Sequence, residues 1–391
     1  MHDRNTVAIL GPSVRFLSGI SYYTIRLSNA LSEHLNVHTI LFRHMLPKIL
    51  FPGWKRVGTG LATIHFNQNV SVSELLDWYS IVSWFCAAKE LRKADIVIFQ
   101  WWTSSVSHIY LALQLLLRRS VPIIIEYHEV VDPLEQSILP LRAYSRIMGK
   151  VICTLADHYV VHSTADRDVI EKIYGIRQEK ITIIPHGLYD QYPVLEKSAA
   201  REVLGLEEEN VILFFGLLRP YKGVKYLVEA FNTLPPSLIT STRLMIVGEA
   251  WEDRESLSLV ESSPWKEKIS VVNRYVGDDE IPLYFSAADV LTLPYTRASQ
   301  SGVAHIAMSY GLPIIATKVG GLEEGLHSYR GAFFIAPESV DELREQMIRC
   351  IARKVAFLPP EDRTWRTLSG KWASLVGTVL SRRQNHDGLT E

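Results

Sequence analysis

The chain has 391 residues, 47% of them hydrophobic and 21% charged, with a formal net charge of -1 at pH 7. That length exceeds one ordinary hydrophobic core, and that composition excludes a disordered or fibrous chain. Near-neutral charge excludes a general pull toward nucleic acid. The widely spaced Cys86, Cys153 and Cys350 suggest neither a disulfide framework nor a zinc site.

The opening "MHDRNTVAIL" runs straight into a strand and is not a signal peptide. No apolar run approaches the roughly 20 residues of a spanning helix, so a cytoplasmic protein with at most peripheral membrane contact is expected. "TVAILG", "NVHTILF", "DIVIFQ", "VPIIIEY", "HYVVHS" and "KITIIP" read as six buried parallel strands with helices between them. After the first strand, Gly19 would let a loop approach a ligand closely. Two segments mix apolar and basic residues: "HMLPKILFPGWKR" (44–56) and "LPLRAYSRIMGKVI" (139–152). The second puts Arg142, Arg146 and Lys150 on one helical face beside Leu139, Ile147 and Met148. That composition suits an interfacial helix on anionic lipid and also an ordinary surface helix. His128, followed by Glu129, ends the fourth strand. The Asp-x-Asp of "ADRD" (165–168) opens a helix, where acids suit the dipole, and is read as structural.

A change-over rich in Gly, Pro and polar residues follows at 186–201 and contains His186, read as a linker residue. A second series then begins: "NVILFFG", "RLMIVG", "KISVV", "DVLTLP", "PIIAT" and "GAFFI". In "FFGLLRPYKGVKYLVEAF" (214–231), Gly216 turns the chain, and Arg219 and Lys222 precede Gly223 and a helix. Two cations beside a helix N-terminus form an anion site. In "ASQSGVAHIAMSYGLPIIAT" (298–317), Ser299, Gln300, Ser301, Gly302 and Val303 open another helix, whose backbone N–H groups suit a phosphate. A plain helix cap by Ser299 or Ser301 is the simpler reading of the same residues. No carboxylate occurs between Asp289 and Glu323. After "PPED" (359–362) comes one amphipathic helix belonging to no strand unit. The pattern predicts an α/β chain of two Rossmann-like doubly wound domains facing across a cleft, with ligands beyond the strand C-termini. No G-x-G-x-x-G follows the first strand, which disfavours a dehydrogenase.

"GLLRPYKG", "LMIVGEA", "YVGDDEIPLYFSAADVLTLPY" and "SQSGVAHIAMSYGLPIIATKVGGLEE", in that order, resemble the C-terminal half of the retaining GT-B glycosyltransferases of family 4, over about residues 205–330. "SGISYYTIRLSNALSEH", "EYHE" and "IPHGLYDQY" extend the resemblance through the first half. It implies an acceptor-side domain at 1–188, a nucleotide-sugar domain at 189–364, and a final helix at 365–391 packing back on the first domain. It implies that Lys222 and a neighbouring arginine neutralise the donor diphosphate, so no metal and no cofactor are expected. The usual arginine position holds Leu217, and Arg219 takes its place. The usual Glu-x7-Glu pair falls on Ala298 and Ile306, so sugar and ribose would be read by other groups, with Glu249 and Glu324 as candidates. Arg274 and Tyr275 lie where the base would bind, His128 where the transferred sugar would be touched. Ser18 replaces the first of two usual glycines before Gly19. The expected activity is sugar transfer, with retention, from a nucleotide diphosphate sugar to a glycan or lipid-linked acceptor, in surface polysaccharide or glycolipid synthesis. Two alternatives stay open: a nucleotide-sugar epimerase of the same fold, and a non-catalytic nucleotide-sugar-binding partner subunit.

Overall fold

The structure is a computed structural model that describes residues 4–14, 19–44, 64–118, 120–129, 139–207, 210–298 and 300–387. It divides into two compact units, residues 1–187 with 365–391, and residues 188–364.

The first unit runs β1 (Thr6–Gly11), α1 (Gly19–Leu31), β2 (Asn36–His44), β3 (Val70–Asp77), α2 (Ile81–Leu91), β4 (Ile96–Trp101), α3 (Ser107–Leu117), β5 (Ile123–Tyr127), α4 (Leu139–Leu155), β6 (His158–Val161), α5 (Thr164–Tyr174) and β7 (Ile181–Ile183). The strands form one sheet in the order β3-β2-β1-β4-β5-β6-β7, every pair parallel. Six of the seven are the expected apolar runs. The seventh, β3, reads "VSVSELLD" and was not expected. It is an edge strand, partly exposed from Ser71 to Leu75, so its sequence lacks the continuous apolar run of a central strand.

Alternation along β1 sends Ala8 and Leu10 to one face, and Val7 and Ile9 to the other. The first face packs on Leu91, Leu113, Ile152 and Ile170 from α2 to α5. The second packs on Tyr23, Leu27 and Leu31 of α1 and on the C-terminal helix Trp365–Asp387, through Leu368, Trp372, Val376 and Val379. At α5, Ser163 accepts from Asp166 N–H and Gly175 ends the helix at φ 69°, so the Asp-x-Asp sits in an ordinary capped first turn.

The second unit runs α6 (Lys197–Val203), β8 (Asn210–Phe215), α7 (Val224–Asn232), β9 (Thr242–Val247), α8 (Arg254–Glu261), β10 (Ile269–Val272), α9 (Ile281–Ala287), β11 (Val290–Leu293), α10 (Gly302–Ser309), β12 (Ile314–Thr317), α11 (Gly321–Leu326), β13 (Ala332–Ile335) and α12 (Val340–Arg353). Its sheet, also parallel, has the order β10-β9-β8-β11-β12-β13. Asp289 ties this unit together: it accepts from Val211 N–H at 2.7 Å, Arg201 at 2.6 Å and Lys197 at 2.9 Å.

In both sheets the strand order reverses beside the first strand, between β1 and β4 and between β8 and β11. Loops leaving the C-terminal ends at such a switch diverge and leave a crevice. The site of the second unit is built there; in the first unit the polar cluster stands beside that point, at the tips of β5 and β6.

Candidate active site

In the second unit, the loops after β8 and β11 meet. Two glycines make this possible. Gly216, at φ 120°, ends β8, and Gly248, at φ 144°, ends β9; a Cβ on Gly248 would lie 2.0 Å from the Gly216 carbonyl oxygen. Leu218, fully buried, then locks the loop down: its N–H donates to Glu249 O at 2.9 Å, and its carbonyl accepts from Trp251 N–H at 2.7 Å. Arg219 is therefore held with its guanidinium carbon 4.9 Å from the centre of the Trp251 ring. Pro220–Lys222 form one 3-10 turn, ended by Gly223 at φ 66°, where a Cβ would strike the Pro294 carbonyl at 2.0 Å. Lys222 Nζ lies 3.7 Å from the centre of the Tyr295 ring, and the Tyr295 hydroxyl is 3.4 Å from Ser301 Oγ. Tyr295 thus joins the cation of one loop to the helix start of the other. A cation over an aromatic face gains about 0.5–2 kcal/mol, enough to orient Lys222 in advance of a ligand.

At the start of α10, Ser301 is extended (φ -138°, ψ 107°) and its side chain caps nothing. The simple helix-cap reading therefore does not hold for Ser301; Ser299 lies outside the described residues. Gln300 has both side-chain amide atoms buried with no hydrogen-bond partner among the described residues, the state of a group awaiting one. Space beside Gly302 is filled by the Tyr189 ring, 2.9 Å from where a Cβ would stand. Val303 packs toward Gly216. Ile306 is buried and the Ala298 carbonyl packs against Gly320, so neither position where an acid is absent offers a polar side chain.

The remaining expected residues of this unit are placed as follows. The backbone of Glu249 fastens the Leu218 loop. The Glu324 carbonyl accepts from Arg363 at 3.0 Å. The Arg274 guanidinium is engaged by Glu280, at 2.7 Å for the first of two contacts, while Tyr275 is partly exposed beside it.

In the first unit, His128 lies just past β5 with its side chain only 5% exposed. It belongs to a cluster that the sequence did not single out. Its Nε2 is 3.5 Å from Oε2 of Glu126, and His162 Nε2 is 3.8 Å from Oε1. Tyr23 of α1 packs edge-on to both imidazoles, at 4.6 and 5.4 Å between ring centres, and tilts against His186 at 4.7 Å. Burial alone would push the Glu126 carboxyl up; its interactions with His128, His162 and Tyr23 outweigh it, so the carboxyl sits below its ordinary range. Glu126, His128 and His162 have their ligand atoms within 4.8 Å of one another and are of metal-binding type. Gln100 Nε2, however, already donates to Glu126 at 3.0 Å. A spacing signal for this cluster did exist: the polar tips of "IFQ", "IEYH" and "VVH" fall on one face of adjacent parallel strands. Gly19 begins α1, and Ser18 lies outside the described residues.

On α4, Arg142 is half-buried and Arg146 and Lys150 are exposed, with Ile147 (64%) and Val151 (39%) exposed beside them. The side chain of Leu139 and the segment 45–56 lie outside the described residues. No helix among the described residues is long and apolar enough to cross a membrane.

Two family models match: "Glycosyltransferase Family 4" over residues 17–191 and "Glycosyl transferases group 1" over residues 209–353. Mannosylfructose-phosphate synthase of Agrobacterium fabrum is 28% identical over 240 residues, 57% of this chain and 51% of that protein. D-inositol 3-phosphate glycosyltransferase of Xylanimonas cellulosilytica is 28% identical over 244 residues, 58% of this chain and 56% of that one. The chain thus spans about half the length of the curated relatives it matches. Among solved structures, Anabaena HepE in complex with UDP and glucose shares the fold with a TM-score of 0.65 at 18% identity, covering 99% of both chains. Sucrose-phosphate synthase of Thermosynechococcus elongatus does so with 0.61 at 19%, also over 99% of both.

Proposed function

Because this chain belongs to the family 4, group 1 glycosyltransferases, we propose that it transfers a sugar from a nucleotide diphosphate sugar to a glycan or lipid-linked acceptor, with retention of configuration and without a metal. The observation that carries this reading is the junction at Tyr295, where Lys222 and the uncapped start of α10 are brought to one place at the switch point of the second sheet. As the bond from sugar to phosphate breaks, negative charge gathers on the leaving diphosphate. Lys222, Arg219 and the backbone N–H groups of Ser301, Gly302 and Val303 stabilise that charge, being oriented before the reaction begins. Gln300, Glu249 and Glu324 read sugar and ribose in place of acids at Ala298 and Ile306, and the chain at Arg274 and Tyr275 meets the base. His128 contacts the transferred sugar. The work is done at the cytoplasmic face of a membrane, in surface polysaccharide or glycolipid synthesis, with α4 as a peripheral contact to anionic lipid. Both curated relatives carry a phosphate in their names, so sugar and inositol phosphates belong among the acceptors to be tried.

Titration calorimetry and a transfer assay test this together. A nucleoside diphosphate is expected to bind at least about 100-fold better than its nucleoside, since each charge-assisted hydrogen bond is worth roughly 1.5–3 kcal/mol. Transfer is expected to persist in a chelator. Equal affinities would reduce the α10 loop to an ordinary helix start, and a metal requirement would overturn the cationic assignment. Donor turnover without an acceptor would make the protein an epimerase. Donor binding with neither transfer nor hydrolysis would make it a binding subunit.

A further inference from the structure

Polar residues stand at matched heights near the strand tips of the first sheet. Gln100 on β4 is the register partner of Glu126 on β5, whose partner on β6 is Val160. His128 and His162 each lie two residues further on, which returns them to the face of Glu126. Glu126 is fully buried and its orientation is fixed from behind. Gln100 Nε2 donates to it at 3.0 Å, and the amide does not turn over because that would set its oxygen against the carboxylate; its Oε1 lies 2.5 Å from Thr24 Oγ1. The Gln100 carbonyl in turn accepts from the Tyr110 hydroxyl at 2.6 Å. Gly11 leaves the space for this pair: a Cβ there would meet Thr24 at 2.6 Å and Gln100 at 2.7 Å.

The protons follow from the partners. A carbonyl oxygen only accepts, so the 2.9 Å contact of His162 Nδ1 with Ile184 O puts a proton on Nδ1. His162 Nε2 faces one oxygen of Glu126 and His128 Nε2 faces the other. A bare nitrogen lone pair against a buried carboxylate oxygen is repulsive, and a buried carboxylate with no positive partner is costly. At 3.5 and 3.8 Å neither Nε2 makes a hydrogen bond to its oxygen, so the contact is electrostatic, and a proton on both Nε2 atoms is the arrangement that satisfies it. His162 is then an imidazolium balancing Glu126, and His128 is the neutral Nε2–H tautomer, which leaves the buried cluster neutral overall.

We propose that Glu126 is a positioning residue: with the His162 imidazolium it locks His128 in the Nε2–H tautomer, so that His128 Nδ1 serves as a hydrogen-bond acceptor for a hydroxyl of the transferred sugar or its acceptor. The hydroxyl rests on the glycosyltransferase reading; the proton arrangement does not. The titratable groups facing the carboxylate are His128 beyond β5, His162 beyond β6 and Tyr23 from α1. His186, beyond β7, meets the rings of Tyr23 and His162.

Proton-nitrogen spectra of the full chain, labelled with 15N at histidine, read the rings directly. At neutral pH, His162 is expected to show two protonated nitrogens and His128 one, on Nε2. In Glu126→Gln, His162 should lose its Nε2 proton and kcat should fall about tenfold or more while the donor KM stays within about threefold. The acid limb of the kcat profile should move as well. If Glu126→Gln fails to fold, His162→Gln is the second variant: there His128 takes up the extra proton, seen as a newly protonated Nδ1. Ring spectra unchanged by Glu126→Gln overturn the proposal, as does a stoichiometric divalent ion held by these side chains in the purified protein. Changed spectra with unchanged transfer overturn the positioning role. The expected spectra in a wild type that transfers no sugar uphold the proton lock and overturn the glycosyltransferase reading instead.

Discussion

At the C-terminal edge of the first sheet, charge is buried and balanced: Glu126 lies between two imidazoles, backed by Gln100 and packed under Tyr23. At the corresponding edge of the second sheet, positive groups lie on aromatic faces, Lys222 on Tyr295 and Arg219 on Trp251. The strand order around the switch point is the same in both. Topology therefore decides where a crevice opens, and the residues at the strand tips decide what it can do. A neutral, interlocked edge fixes the direction of a hydrogen bond and contributes little net charge. An edge with two cations and an uncapped helix start suits an anion. The first unit does carry a cluster of cations, but on the outside of α4, beside exposed Ile147 and Val151.

The largest effect expected from this contrast is at Lys222. Lys222→Ala should lower kcat by about 10²–10³-fold, roughly 2.7–4 kcal/mol of barrier, the cost of one lost charge-stabilising donor. Arg219→Ala should be comparable. Tyr295→Leu, which keeps the lysine but removes the face it rests on, should cost a smaller part, about 0.5–2 kcal/mol. Steady-state rates with saturating donor decide it. Near-normal rates for both cation variants would erase the difference between the two edges.

Much of this was legible in the sequence where the physics is local. Twelve apolar runs of five to seven residues announced twelve strands, because a strand covered on both faces must be apolar throughout; β7, β10 and β13, at sheet edges, are only partly buried yet still apolar enough to be read. The glycines around Arg219 and Lys222 announced a turn at a strand end, and backbone geometry at Gly216 and Gly223 requires them. What stayed hidden depends on pairing across distance. β3 escaped because an edge strand with a polar face has no continuous apolar run. Glu126 and His162 are 36 positions apart, and only the register of β5 against β6 brings them together. Tyr295 looked like any aromatic at a strand end, since its role lies in facing Lys222 across the switch point. Arg274 was placed where the base would bind, and the acid that engages it, Glu280, arrives through the following turn.

The outer face of α4 gives the second test. If the cations of the first unit serve lipid and those of the second serve phosphate, replacing Arg142, Arg146 and Lys150 by Glu should weaken binding to anionic vesicles by roughly 1 kcal/mol per residue at low salt, with less difference at high salt. Transfer to a water-soluble acceptor should be unchanged. Co-sedimentation of wild type and triple variant with vesicles measures the first, and the soluble assay the second. Equal partitioning at both salt concentrations would make α4 an ordinary surface helix.

The smallest effect, and the finest separation of the two units, is in their response to pH. Burial, followed by the charge of neighbouring Asp279, raises Asp278 of the second unit to about 6. Its stabilising contribution is whole below the unfolded value near 3.8 and is lost as pH rises through about 6. In the first unit, burial, aided by Arg382 and Lys180, lowers His158 to about 4. Its contribution is whole above the unfolded value near 6.5 and is lost as pH falls toward 4. The signs are opposite. Taking the pH from 7.5 to 5 should therefore weaken the first unit and strengthen the second. Solvent at the rim of each site trims either change to about 1 kcal/mol, well below the full linkage value. Hydrogen exchange, corrected for intrinsic rate and read separately in peptides of each unit, resolves changes of that size. Asp278→Asn should flatten the response of the second unit alone. His158→Gln, whose amide still reaches Thr182 Oγ1, the present partner at 2.8 Å, should flatten that of the first alone. Parallel responses of the two units, unaltered by either substitution, would show that neither buried group sets the acid behaviour of the sheet that carries it.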